Sequence, residues 1–347
     1  MTQNATEKRV LAAIGQRREA VNEGIDIDLP MQEPERLYEA SRYLLEAGGK
    51  RLRPTAALLV GEALADADGE VDYRAFPTVT GGEVDLMAAA VSIEVIQSFT
   101  LIHDDIMDDD DLRRGVESVH NQYDTSTAIL AGDTLYSKAF EIMADVGGKP
   151  DNTLEAMRLL SSSCTKICEG QSLDVAFESR DDLTPEEYLD MVERKTAVLY
   201  GAAAAIPAVL LDADEEVVEA MYNYGVESGK AFQIQDDVLD LTVPSEELGK
   251  QRGSDLVENK ETLITLHARQ QGVDVDGLLD GSTVETVTEA EIDAAVSKLE
   301  EAGSIDYARE MAEELTAQSK QRLATLPDNE ASELLADLAD YLISRGY

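Results

Sequence analysis

Only two cysteines, Cys164 and Cys168, occur in this chain, tryptophan is absent and histidine occurs three times. With no further cysteine and no neighbouring histidine, that i,i+4 pair cannot complete a zinc site. It reads as a buried, reduced pair on a helix. Aromatic residues are scarce at 5%, so alanine, leucine and valine must fill most of the core. Proline is also rare, and the abundance of Ala, Leu and Glu leans towards helix. The largest shortage is of base: 29 Lys and Arg face 71 Asp and Glu, a net charge of -42. The acids are dispersed through apolar-periodic sequence rather than gathered in a tail. That pattern implies a folded, halophilic protein, adapted to salt that screens its self-repulsion. Such a surface excludes nucleic acid and anionic lipid as partners. Met1 to Gln16 lacks a signal-peptide core, and the apolar run Ala197 to Leu211 is too short to span a bilayer. A cytoplasmic protein with no integral membrane contact is expected.

Helical periodicity runs from end to end. Leu37, Tyr38, Ser41, Leu44 and Leu45 form a stripe that stops at Gly48-Gly49. A new helix starts near Pro54, and residues 66–82 read as a polar loop. Leu86 to Ile106 is apolar enough for a central helix buried on most sides. A second long helix spans about Tyr222 to Leu241, before Pro244. Gly272 to Ala295 reads as an acidic surface excursion, and Tyr307–Leu323 and Glu330–Ile343 as amphipathic helices. No alternating pattern is long enough for a sheet, and no break divides the chain. The expectation is one all-α domain over 1–347.

Two aspartate motifs stand out, Asp104-Asp105-Ile106-Met107-Asp108 and Asp236-Asp237-Val238-Leu239-Asp240. On a helix, i and i+4 share a face, so Asp104 with Asp108 and Asp236 with Asp240 form stacked carboxylate pairs. Magnesium binds one or two carboxylates together with substrate phosphate. Two such pairs could hold several ions around a diphosphate. A chance solvated turn is the alternative for one motif in so acidic a chain. Both motifs, however, end strongly apolar helices, where unpaired carboxylates would suffer desolvation.

Against this background a cluster of cations needs a reason. Gly48-Gly49-Lys50-Arg51-Leu52-Arg53-Pro54 places three cations in four positions, with only Glu46 as a close acid. Given helical backbone there, Lys50 and Arg53 would share a face and grip one phosphate. Arg113 and Arg114 follow the first acidic run directly, either as ligands or as counter-charges to Asp109, Asp110 and Asp111.

In order along the chain, GGKRLRP, LIHDDIMDDDDLRRG, AGDTLYSKAF, EGQSLDVAF, ERKTAVL, FQIQDDVLDLT and GSDLVENK resemble the trans-isoprenyl diphosphate synthases. The resemblance covers about Leu37 to Lys260. It implies a bundle of mostly antiparallel helices around a central cavity, the isoprenoid synthase fold, usually as a homodimer. It implies that Lys50, Arg53 and Arg114 bind isopentenyl diphosphate, with Gln97 beside them. Asp104, Asp108, Asp236 and Asp240 would hold magnesium, as two or three ions, on the allylic diphosphate. Arg113, Lys195, Thr196, Gln233, Lys250 and Lys260 would contact that same diphosphate, and Asp105 and Asp237 would support the metal shell. Asp104, Asp108, Asp236 and Lys195 would carry the catalysis, while His103 reads as a structural hydrogen-bonding residue.

The two-residue spacing within the first motif resembles archaeal geranylgeranyl diphosphate synthases and points to a C20 product for ether lipids. In the family the fifth and fourth residues before that motif, here Phe99 and Thr100, shape the cavity floor. Thr100 lies one turn from Asp104 on the same face. Ile96, about 12 Å deeper at 1.5 Å per residue, is another stop. C15 and C25 products are the alternatives. A class I terpene cyclase needs no second diphosphate site of the Lys50–Arg53 kind. A non-catalytic synthase subunit tends to lose motif carboxylates, and none is lost here.

Overall fold

The computed structural model describes residues 3–65, 71–177, 179–180, 182–245, 251–279, 283 and 286–344, apart from the side chains of residues 3–5. Among these residues the fold is all-α. Its main helices are α1 (Gln3–Asp28), α2 (Glu35–Glu46), α3 (Leu52–Ala65) and α4 (Leu86–Met107), then α5 (Val119–Gln122), α6 (Thr125–Ala144) and α7 (Pro150–Phe177). They continue as α8 (Pro185–Val192), α9 (Val198–Leu210), α10 (Glu215–Thr242), α11 (Ser254–Val257), α12 (Leu263–Gln270), α13 (Glu289–Glu301), α14 (Ser304–Arg322) and α15 (Glu330–Ser344). The chain forms two compact units. The first comprises Met1–Cys164, Leu199–Gly225 and Arg322–Leu338, and the second Thr165–Val198, Val226–Gln321 and Ala339–Tyr347.

In the first unit α4 is the central element, packed chiefly on α6 and also on α3, α1 and α2. Asp85 caps its start by accepting the Ala88 N–H at 2.8 Å. Small residues on α6, namely Ala128, Ala131 and Ala139, are fully buried and let α4 approach closely. Ser92 of α4 donates to the Ala139 carbonyl at 2.8 Å. Ile93 and Ile96 are both fully buried, and truncating either to Ala would cost about 2–5 kcal/mol. By length and composition α4 could cross a membrane, yet 78% of its apolar window is buried inside the protein, as in a core helix.

The second unit has its own core, to which Tyr188, Ile234, Val238, Leu263, Ile292 and Leu299 contribute. Capping boxes start α8 (Thr184 with Glu187), α12 (Thr262 with Thr265) and α13 (Thr288 with Glu291).

Several expectations change. Short strands do occur: β1 (Phe76–Pro77) pairs antiparallel with β2 (Glu83–Val84), and β3 (Leu112–Arg113) with β4 (Val116–Glu117). Two residues each is too little for alternation to show. Helix α10 begins at Glu215 rather than near Tyr222, with Glu215 and Glu216 in its first turn, where the helix dipole favours acids. The stretch from Gly272 is not wholly a surface excursion, because Val275 and Val287 are buried in the second unit's core. Of the two cysteines only Cys164 is buried; Cys168 is exposed on α7.

Candidate active site

The first unit brings the GGKRLRP segment, the first aspartate motif and the Arg113–Arg114 pair into one network. Helix α2 ends at Glu46, and the chain re-enters helix only at Leu52. Between them Gly48 and Gly49 have φ of 103° and 145°, and Arg51 has φ of 51°. Glycine is required at 49 twice over: a Cβ there would also lie 3.0 Å from Arg114 Cζ. Lys50 and Arg53 therefore do not share a helical face, since the helical backbone that expectation needed is absent at Lys50.

The cluster, expected to lack a counter-charge, has one from a distant part of the sequence. Glu46 pairs with Arg42 at 2.8 Å. Arg51, only 3% exposed, pairs at 2.5 Å with Glu94 of α4, itself 3% exposed. Arg51 also donates to the Leu45 carbonyl at 2.6 Å and to Asn22 Oδ1 at 3.0 Å. Arg53, in the first turn of α3, lies with its guanidinium carbon 4.0 Å from the centroid of the Tyr200 ring. Its Nε is buried with no acceptor. A buried guanidinium donor without an acceptor is a polar group still to be satisfied. Lys50 is exposed at the turn.

Arg114 closes the same turn. Its Nη1 donates to the Leu44 and Gly48 carbonyls at 2.9 and 2.5 Å, and its Nη2 lies 3.3 Å from Glu94 Oε1. Burial lowers its pKa, against the raising effect of Glu94. Arg114 and Gly115 link β3 to β4 with φ of 55° and 80°, a two-residue hairpin turn with positive φ at both central residues.

Asp104 is half-buried and Asp108 exposed, at the end of α4, where the Asp108 N–H bonds the Asp104 carbonyl at 2.8 Å. Asp105 is fully buried and takes Arg113 Nε at 2.6 Å, while Arg113 also pairs with Asp110 at 2.7 Å. Burial pushes the Asp105 carboxyl up, against the pull of Arg113. Arg113 thus balances Asp110, as one expectation had it, and in addition holds the buried Asp105.

Among the proposed floor residues Ile96 is fully buried, Thr100 is 8% exposed and bonds the Gln97 carbonyl at 2.9 Å, and Gln97 is half-buried. Phe99 meets the His103 and Tyr136 rings edge-on, at 4.9 and 5.2 Å between centroids, and Tyr136 continues to Phe140 at 5.1 Å. His103 Nε2 lies 3.2 Å from the Ile129 carbonyl, in keeping with a structural bond.

In the second unit, α8 runs into a π-helical turn, Glu193–Ala197, which carries Lys195 and Thr196. Such turns are rare and frequent at functional sites. Gly170 of α7 lies against it: a Cβ there would stand 2.3 Å from the Lys195 backbone nitrogen. Lys195 pairs with Asp174 at 2.5 Å. Thr196 donates to Gln233 Oε1 at 3.3 Å, and Gln233 Nε2 donates to Asp237 Oδ1 at 3.1 Å. Tyr188 donates its hydroxyl to the other Asp237 oxygen. Burial, and then the charge of Asp255, push the Asp237 carboxyl well above the usual carboxylate range.

Asp236 is half-buried. Asp240 is 1% exposed and holds the start of α11, accepting from Ser254 Oγ at 3.0 Å and the Asp255 N–H at 3.3 Å. Lys260 is exposed and pairs with Glu258 at 2.9 Å. Lys250 lies outside the described residues. Among the described residues no three His, Cys, Asp or Glu side chains form a metal cage. The donor set nonetheless suits magnesium, which takes hard oxygen ligands, keeps waters and uses substrate phosphate rather than an all-protein cage.

Sequence reasoning missed Glu94, Asp174, Tyr188, Tyr200 and Gln171, whose buried amide has neither Oε1 nor Nε2 partnered. Glu94 did carry a signal, as the only charged residue between Asp85 and His103.

Residues 34–299 match the family described as polyprenyl synthetase. The chain is 65% identical to a geranylfarnesyl diphosphate synthase of Natronomonas pharaonis, over 97% of this chain and 98% of that one. It is 48% identical to a geranylgeranyl diphosphate synthase of Methanosarcina mazei, over 96% and 97% respectively. Its structure is similar to that of a geranylgeranyl pyrophosphate synthetase from Geoglobus acetivorans, with a TM-score of 0.85, 44% identity and coverage of 96% and 99%.

Proposed function

This chain belongs to the polyprenyl synthetase family, and on that premise we propose that it condenses isopentenyl diphosphate head to tail with allylic diphosphates. The observation that carries the reading is Arg53, whose buried Nε has no acceptor, in a turn where Arg51 is already balanced by Glu94. Lys50 and Arg53 bind isopentenyl diphosphate there, with Gln97 nearby and Arg114 closing the turn.

The allylic diphosphate is held by Arg113, Lys195, Thr196, Gln233, Lys250 and Lys260. Asp104, Asp108, Asp236 and Asp240 would hold magnesium, roughly two or three ions, at that diphosphate. Bound magnesium supplies charge neutralisation for the departing diphosphate. Lys195 and Arg113 stabilise the same developing charge through fixed cations, which act most strongly where charge appears in the transition state. The allylic carbon–oxygen bond breaks and diphosphate keeps the electron pair. The isopentenyl double bond then attacks the allylic carbocation, and the proton lost from the adduct passes to the released diphosphate. Aliphatic walls keep water from the cation. No side chain acts as a nucleophile.

For the product, the 65% identical relative favours a C25 geranylfarnesyl chain. The second reading is C20, favoured by the short spacing of the first motif and by the 48% identical relative. Exposed apolar residues on α6, with Ile129 at 43% and Leu130 at 57%, support a homodimer, which sedimentation would test. The site assignment is tested by the kinetics of Arg53→Ala. A rise in KM for isopentenyl diphosphate of about tenfold or more, at an unchanged KM for the allylic primer, is expected for a lost charge-assisted contact. Equal effects on both substrates would overturn the assignment.

A further inference from the structure

We infer that Glu94 is a positioning residue for the isopentenyl diphosphate site, a proposal that rests on assigning the Gly48–Arg53 turn to that substrate. Glu94 sits in the middle of α4, 3% exposed, where an unpaired carboxylate would be costly. One of its oxygens takes both Arg51 Nη1 at 2.5 Å and Arg114 Nη2 at 3.3 Å. Those two guanidiniums in turn hold the carbonyls of Leu44, Leu45 and Gly48, in the stretch that leads to the exposed Lys50. A single carboxylate therefore anchors the turn from two sides.

The turn needs such an anchor. Gly48, Gly49 and Arg51 all have positive φ, and Arg51 is not a residue that adopts this region readily. Its conformation is held by the bonds to Glu94, Asn22 and Leu45. With Arg51 and Arg114 engaged on Glu94, the exposed Lys50 and the half-buried Arg53, whose Nε has no acceptor, are the cations left for an anion. Removing the carboxylate would leave the buried Arg51 and the half-buried Arg114 repelling one another and let the turn relax. The positions of Lys50 and Arg53 would then be lost, and errors of about 1 Å in such groups cost up to about a hundredfold.

The test is steady-state kinetics of Glu94→Gln and Glu94→Asp, varying each substrate with the other saturating, beside Arg53→Ala. Glu94→Gln should raise KM for isopentenyl diphosphate by about tenfold or more while KM for the allylic primer and kcat stay within about threefold. Glu94→Asp, which keeps the charge, should recover part of the loss. An unchanged KM for isopentenyl diphosphate, or an equal rise for both substrates, overturns the inference. If Arg53→Ala raises that KM and Glu94→Gln does not, Glu94 alone is misassigned. If neither does, the turn is not the isopentenyl diphosphate site. Should Glu94→Gln fail to fold, Arg51→Lys reads the same split, since it keeps a cation and loses the bonds to Leu45 and Asn22. No selective rise there overturns the inference equally.

Discussion

Gly170→Ala tests how the π-helical turn aims Lys195 and Thr196. In an exposed helix this change would stabilise by about 1 kcal/mol through helix propensity. Here the added Cβ would meet Lys195 N at 2.3 Å, Lys195 Cα at 2.7 Å and the Arg194 carbonyl carbon at 2.8 Å, all backbone. Ordinary contact begins near 3.4 Å, so α7 and the turn must part by about 1 Å. Overpacking of this kind costs about 1–3 kcal/mol, which outweighs the propensity gain and leaves the variant less stable. The larger effect is catalytic. A shift of about 1 Å in Lys195 and Thr196 should lower kcat by about a hundredfold. The assay is turnover with both substrates saturating, together with a thermal melt, and Ser172→Ala, exposed on the same helix, serves as control. Turnover within about threefold of the parent would refute the reasoning, even if Tm fell, because close packing would then not be what aims the turn.

Three further outcomes are expected. Phe99→Ala removes the ring held between His103 and Tyr136 and should lengthen the product by one or more C5 units, read by chain-length analysis; an unchanged distribution places the stop at Ile96 or elsewhere. Thermal stability should rise between 0.1 M and 1 M KCl, as the screening length falls from about 10 Å to about 3 Å over a surface of net charge -42; a flat or falling Tm contradicts salt adaptation. Burial lowers the pKa of His267, which stacks on Tyr307 at 4.2 Å and bonds Ser304 Oγ at 3.0 Å. The unfolded chain then binds the proton more readily. The stability linked to this residue is complete above the unfolded value of about 6.5 and is lost as pH falls below it through the lower value of the folded state. The stability difference between parent and His267→Gln should therefore shrink on acidification, and a difference that grows would reverse the assignment.

The helices were legible because their apolar stripes and stop signals are local. Leu86 to Ile106 read as a central helix from composition alone, and Gly48-Gly49 marked a true end. The pairing of Asp104 with Asp108 at the end of α4 was legible because helical spacing is local. What stayed hidden depends on distant partners. Glu94 lies more than forty residues from Arg51, so the cation cluster read as unbalanced when one of its charges was already paired. Arg51 in a left-handed conformation is likewise held by tertiary bonds rather than by its neighbours. The π turn at Lys195 has no periodic signature and shows only as a glycine on another helix. Asp105 carries the same residue type as Asp104 and Asp108 and differs from them by burial, whereas Asp237 and Asp240 are both buried and differ only in their partners.

The central claim is tested most directly by incubating the protein with labelled isopentenyl diphosphate and dimethylallyl, geranyl or farnesyl diphosphate, with magnesium at molar KCl, and measuring product length. Primer-dependent elongation ending at C25, or at C20 on the second reading, and abolished by a chelator, is predicted. No elongation with any primer, or elongation indifferent to the chelator, would contradict the account.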